Sequence, residues 1–341
     1  MGSWRPAAGV IDRTLDAIPP ASGAVVMGTG IVSIALSLDR HESLSRVLLV
    51  LAAGIWVALA VLLPARAMRD RTRFRSDVRT PAALTSVAGT AVLGTRLTVL
   101  GWEWAGIALL AIALLLWAAL LAPVLANWRT PTIGASLVLT VSTESLAVLA
   151  ATLAASEHAH WLLDAALVPF GLGLVFYLFV ISRFDLHQLG VGRGDHWITG
   201  GALAISTLAA GKITTSAKVL AILGDGGGAP KDLAVGLWAL TMLWLPVLLL
   251  AEALRPRLRY DVRRWSTVFP VGMYAACSFA VGKADHATAI TRFARIWVWV
   301  ALAVWAVVFA AMIGSAVQIV RADGEPNPRD ANELTSSKPT A

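Results

Sequence analysis

The chain has 341 residues, 57% of them hydrophobic and 14% charged, with a mean hydropathy of +0.71. A soluble domain carries about 25% charged residues, because its surface must be coated with polar groups. That balance excludes a soluble enzyme and points to an integral membrane protein folding as one unit. The net charge of +7 sits between apolar runs, so it reads as membrane topology and not as a nucleic-acid surface. The one cysteine, Cys277, excludes a disulfide framework and any cysteine-based metal site.

A bilayer-spanning helix takes about 20 mostly apolar residues. Runs of that kind lie at 20–38, 44–64, 80–100, 104–126, 131–154, 161–182, 196–221, 232–254, 266–284 and 295–320. The first follows Arg5, Asp12, Arg13 and Asp16 and shows no small-residue cleavage site, so it reads as a helix and not as a removable signal. Residues 1–19 form a cytoplasmic N-terminal segment, with a short interfacial helix expected over 7–18. Residues 321–341 lack apolar periodicity and are predicted to be a disordered cytoplasmic tail.

With the N-terminus inside, the cytoplasmic segments hold 19 Lys and Arg and the outer loops 6. The positive-inside rule therefore puts both termini in the cytoplasm of a multi-pass cell-membrane protein. Trp102, Trp104, Trp128, Trp161, Trp197 and Trp265 fall at span ends, as an interfacial belt requires.

Odd and even spans differ in composition. Residues 20–38 have Gly, Ala, Ser or Thr at ten positions, and residues 44–62 at six. Spans three, five, seven and nine share the small, hydroxyl-rich character. The even spans carry large groups: Trp56, Trp117, Phe176 and Tyr177, Trp238 and Trp244, Trp299 and Trp305. Pro20, Pro81, Pro131 and Pro270 stand at or near the start of odd spans, and Gly200 and Gly201 take that place in the seventh. A two-helix period predicts an all-α membrane domain over 20–320: ten transmembrane helices as five hairpins, odd helices around a central pore and even helices outside. Proline frees a backbone carbonyl, which a membrane tolerates only beside a partner or a watery cavity.

Charges within spans cost about 2.5–3.5 kcal/mol each at a helix centre and are functional candidates by default. They are Arg96, Glu144, Lys212 and Lys218, all on odd spans. Arg96 and Glu144 are placed to form a buried pair that either serves transport or fixes two helices. Lys212 has no acidic partner in view, and Lys218 either joins it or snorkels to the outer surface. Three positive groups against one negative favour anions. Ser33, Thr140 and Ser206, with other hydroxyls of the odd spans, either offer neutral donors to the pore or bond back to their own helices.

No G-x-x-x-x-G-K-[ST] is present, which argues against an ATP-driven pump. Clustered acids, His or Cys at membrane depth are missing, so no enzyme, no metal site and no cofactor are expected. Glu157, His158 and His160 share a loop but make at most a weak metal site.

Met27-Gly28-Thr29-Gly30-Ile31-Val32-Ser33 in span one and Phe269-Pro270-Val271-Gly272-Met273-Tyr274-Ala275 in span nine resemble the tellurite-resistance/dicarboxylate transporter family. That family includes the plant slow anion channels, fungal malate permeases and sulfite efflux pumps. The resemblance implies a homotrimer with a pore in each subunit, odd helices kinked by prolines, and a ninth-helix phenylalanine as gate. The Phe-Pro step maps that gate onto Phe269, near the cytoplasmic end of its span. The expected function is permeation of small anions: chloride- or nitrate-like ions, C4-dicarboxylates or sulfite. The alternative is a proton-coupled or exchange carrier for C4-dicarboxylates or sulfite, with Glu144 as the protonatable group. Small anions and membrane lipid are the expected partners, and nucleic acid is not.

Overall fold

The computed structural model describes residues 19–191, 194–224, 228–256 and 260–322. The predicted N-terminal segment and tail lie outside them, except for Pro19, Arg321 and Ala322. Ten long helices carry the described chain: α1 (Gly23–Leu38), α2 (Glu42–Arg69), α3 (Thr85–Val99), α4 (Glu103–Ala126), α5 (Val138–Ser156), α6 (His160–Ile181), α7 (Trp197–Val219), α8 (Gly228–Leu254), α9 (Trp265–Ala284) and α10 (Thr288–Ala322). Eight are long and apolar enough to cross a membrane, α1 and α3 only together with the 3-10 turns that lead into them. The two that fall short, α7 and α9, are buried along almost their whole length and need no lipid-facing apolar side. Helix α10 begins at Thr288, earlier than the predicted 295, so Arg292 and Arg295 belong to its first turns and not to a loop.

Helix α1 packs on α3, α3 on α5, α5 on α7, α7 on α9, and α9 back on α1, closing a ring. Each even helix packs on the odd helix before it and on the odd helix after it, with α10 returning to α1. The apolar stretch of α5 is 100% buried, while those of α2, α4 and α10 are 17% buried. The ring closes because small residues let backbones meet. A Cβ on Gly23 would stand 2.5 Å from the backbone of Thr85, and one on Gly201 would stand 2.7 Å from the ring of Pro270. The glycine that stands in for proline in the seventh span thus makes room for the proline of the ninth.

The end where the odd helices begin is here called the base, and the opposite end the rim. At the base, α1, α3 and α5 start through short 3-10 turns, Pro20–Ser22, Pro81–Leu84 and Gly134–Leu137. Pro20 and Pro81 occupy first-turn positions, where the absent N–H leaves nothing unsatisfied. They start their helices and do not kink them. Pro131 lies outside its helix, in an extended segment where Thr132 bridges to the end of α6 through Arg183 and Asp185. Of the four predicted kinks, only Pro270 falls within a helix. The other helix-interior prolines are Pro64, Pro123, Pro169 and Pro246, all on even helices.

At the rim, all five odd helices end in the same way. Arg40, Gly101, His158, Ala221 and His286 each take positive φ, two residues past the last helical one. The next residue's N–H then bonds the carbonyl five residues back, as in His41 to Leu36 and Ala287 to Gly282. This is the Schellman stop, and its recurrence marks the hairpin as the repeating unit.

Four tryptophans of the even helices have a shared task. Trp56 donates its indole N–H to Thr90 on α3, Trp117 to Thr143 on α5, Trp238 to Ser278 on α9 and Trp305 to Thr29 on α1, at 2.9–3.0 Å. Each strap joins an even helix to the next odd one. Trp197 and Trp265 depart from the predicted interfacial belt: they are 2% and 0% exposed, because they pack inside the base.

Candidate functional site

A cavity of about 300 Å³ lies at the base, walled by the first turns of all five odd helices. Pro20 comes from the 3-10 turn before α1, Met27 from α1, Thr85 from the start of α3, Val138 from α5, Ile198 from α7 and Phe269 from α9. Every odd helix therefore aims its N-terminus at this space. Each such terminus carries about half a positive charge from its aligned peptide dipoles. The first N–H groups of α7 already bond the carbonyls of Gly194, Asp195 and His196, and the wall also holds one carboxylate, Asp195, and one guanidinium, Arg263. Span composition holds no sign of this convergence; the parallel run of the odd helices was the signal available.

Phe269 lies in the second turn of α9, is 1% exposed and forms part of the cavity wall. It stands four residues past the start of α9, nearer the base than the middle of the helix where a central plug would lie.

The predicted Arg96–Glu144 pair does not form. Arg96 lies toward the rim of α3, where Nη2 bonds Glu42 Oε1 at 2.7 Å and Nε bonds Ser45 Oγ at 2.9 Å. Ser45 in turn exchanges hydroxyl–carbonyl bonds of 2.7 Å with Ser33. The chain of contacts ties α1, α2 and α3 together and satisfies a guanidinium that is 1% exposed. Ser33 is committed to this network and offers no free donor to the ring axis.

Glu144 is fully buried between α5, α6 and α7. Its Oε1 accepts from Ser206 Oγ at 2.9 Å, while Oε2 has no hydrogen-bond partner. A Cβ on Gly173 of α6 would stand 2.5 Å from Glu144 Cγ. Ser206 lies nine residues past the start of α7, the register of Thr29 after Pro20, Thr90 after Pro81 and Thr143 after Gly134. The third hairpin has no strapping tryptophan: Leu174 stands in the register of Trp56 and Trp117, and the adjacent Gly173 leaves the room in which Glu144 reaches the hydroxyl. Ser206 is likewise engaged, by Glu144 and by its own helix at Ala202 O.

Thr140 is fully buried with an unpartnered hydroxyl. Toward the rim, Lys212 is partly exposed and makes no hydrogen bond or ion pair among the described residues; the charge that acts on it is that of Lys283 on α9. Lys218 donates to Ala284 O at 3.0 Å and so caps the end of α9 instead of snorkelling free. Lys283 donates to Leu38 O at 3.3 Å. Lysines from α7 and α9 thus gather at the rim, opposite the five helix N-termini at the base.

The family profile described as SLAC1, voltage-dependent anion channel, matches residues 17–313. Two uncharacterized membrane proteins from strains of Mycobacterium tuberculosis are each 36% identical to the chain over 140 residues, covering 39% of this chain and 71% of theirs.

Proposed function

The chain belongs to the SLAC1 voltage-dependent anion channel family, and from that premise we propose that it passes small anions across a cell membrane along the axis of its own five-helix ring. The observation that carries this reading is the cavity at the base onto which five helix N-termini converge. The rim lysines Lys212, Lys218 and Lys283 support the same sign of charge, and unpaired Lys212 is the one free to meet a passing ion. Candidate substrates are chloride- or nitrate-like ions, C4-dicarboxylates and sulfite. Phe269 is the gate in this reading: an apolar ring on the cavity wall blocks ions sterically and by dewetting. All ten helices cross the bilayer as five hairpins, the base faces the cytoplasm with both termini, and three copies assemble with one pathway each.

Currents through purified protein in a planar bilayer under a chloride gradient test the reading. The expected reversal potential lies near the chloride equilibrium value, and Phe269→Ala should carry larger currents. A cation-directed reversal potential refutes the function; unchanged currents in Phe269→Ala refute the gate. Lys212→Ala should reduce anion-over-cation selectivity, most at low salt where screening is weakest.

The coupled-carrier reading has one observation on its side, the buried carboxylate of Glu144 with an unpartnered oxygen. Malate or sulfite uptake driven by a pH gradient, absent in Glu144→Gln and without chloride current, would replace the channel.

A further inference from the structure

Between α2 and α4, with α1 and α3 behind them, runs an open apolar groove of about 440 Å³, within the size range of small-molecule sites. Val26, Ala60, Leu63, Ile112 and Leu116 line its length. At its base end it meets Arg66, whose side chain is 4% exposed. One face of that guanidinium bonds Asp77 at 2.5 Å, but its Nε has no partner. A buried donor left unpaired is costly, so an acceptor that meets this guanidinium is favoured. The surrounding stretch, residues 66–79, holds six arginines against two aspartates. Phe74, from the short helix Arg71–Asp77, closes the end of the groove.

We propose that this groove binds an anionic glycerophospholipid, one acyl chain lying between α2 and α4 and the phosphodiester accepting from Arg66, whose buried guanidinium turns toward the groove to meet it. Two features select that occupant. The groove opens between outer helices whose apolar stretches are 17% buried, and its base end holds the Arg66–Asp77 pair within a stretch that has four more arginines than aspartates. A neutral lipid would satisfy the apolar length and leave the arginine stretch uncompensated. The proposal rests on the membrane embedding and base orientation proposed above, and not on anion permeation.

The test is native mass spectrometry of the full chain, delipidated and mixed with equal amounts of phosphatidylglycerol and phosphatidylcholine of matched acyl chains. Wild type should retain phosphatidylglycerol at least about tenfold over phosphatidylcholine, the low end of a charge-assisted hydrogen bond. Arg66→Gln combined with Asp77→Asn removes the site without changing net charge or leaving a lone buried ion, and should bring that ratio near one. Ala60→Trp fills the groove away from the arginine and should lower retention of both lipids. Exposed Arg71 and Arg75 provide the control: Arg71→Gln with Arg75→Gln should leave most of the preference intact. Excess inorganic phosphate should not displace the lipid, because it lacks the chain. A preference that survives the Arg66–Asp77 double variant, or that vanishes with Arg71 and Arg75 alone, overturns the proposal in favour of diffuse surface attraction. Oligomers that hold no lipid while monomers do would give the groove to a second copy and also overturn it. No flux is read, so a protein silent in the bilayer leaves this result interpretable.

Discussion

At Gly173 the third hairpin parts from the other four. A tryptophan indole straps each of the other hairpins to the next odd helix, whereas here a glycine leaves space for Glu144 to reach Ser206. The physical exchange is one neutral donor on a hydroxyl for one carboxyl on a hydroxyl. Adding a methyl at Gly173 drives it into Glu144 Cγ, and overpacking of that kind costs about 1–3 kcal/mol. Gly173→Ala should therefore lower the unfolding midpoint in detergent, and Glu144→Ala in the same chain should restore much of the loss. Additive effects of the two changes would show that the residues do not share the space. The straps themselves should be modest. A double-mutant cycle between Trp117→Phe and Thr143→Val should give a coupling of about 0.6 kcal/mol, the mean for side-chain bonds between membrane helices.

The element that repeats is the odd helix with its stop. Four of the five stops place a side chain in the left-handed region, at Arg40, His158, Ala221 and His286, and one uses Gly101. An L-residue there costs roughly 1–2 kcal/mol, and glycine avoids most of it. Ala221→Gly should raise thermal stability by about 1 kcal/mol and Gly101→Ala should lower it by a similar amount. Equal midpoints for both variants and wild type would mean that the turns relax out of the Schellman geometry. The starts of the odd helices obey a different logic. Pro20 and Pro81 pre-set the first turn, and Pro270 sits one turn further in, seated on Gly201. Gly201→Ala should be disruptive alone and better tolerated with Pro270→Ala, read as recovery of the unfolding midpoint.

For the whole molecule, parallel odd helices make the two ends of the ring chemically unlike. Five N-termini face the base cavity, and lysines gather at the rim. In the reading proposed above, both ends would attract anions by different means, one through backbone dipoles and one through side chains. Only the rim is removable by mutation. Orientation can be read directly because the native Cys277 is fully buried. Arg75→Cys at the base should resist a membrane-impermeant maleimide applied to intact cells, and Glu157→Cys at the rim should react. The reverse pattern would invert the proposed topology.

The sequence by itself determined what depends on amounts and on local order. Apolar content demanded a membrane, run length set most helix boundaries, and alternating composition separated buried from lipid-facing helices. The familiar Phe-Pro and Gly-rich stretches pointed to the family whose profile the chain matches. Only the tertiary structure decided partners, since a partner is a property of two segments brought together. It gave Arg96 to Glu42 and Ser45 across 54 and 51 residues, left Glu144 with Ser206, and withdrew Ser33 and Ser206 from the axis. It also moved Pro131 out of its helix and turned four tryptophans of the even spans from bulk into straps. The hydroxyls show the reason most plainly. On a helix wheel they point everywhere, and which of them stays free is decided by the neighbour that reaches each one first.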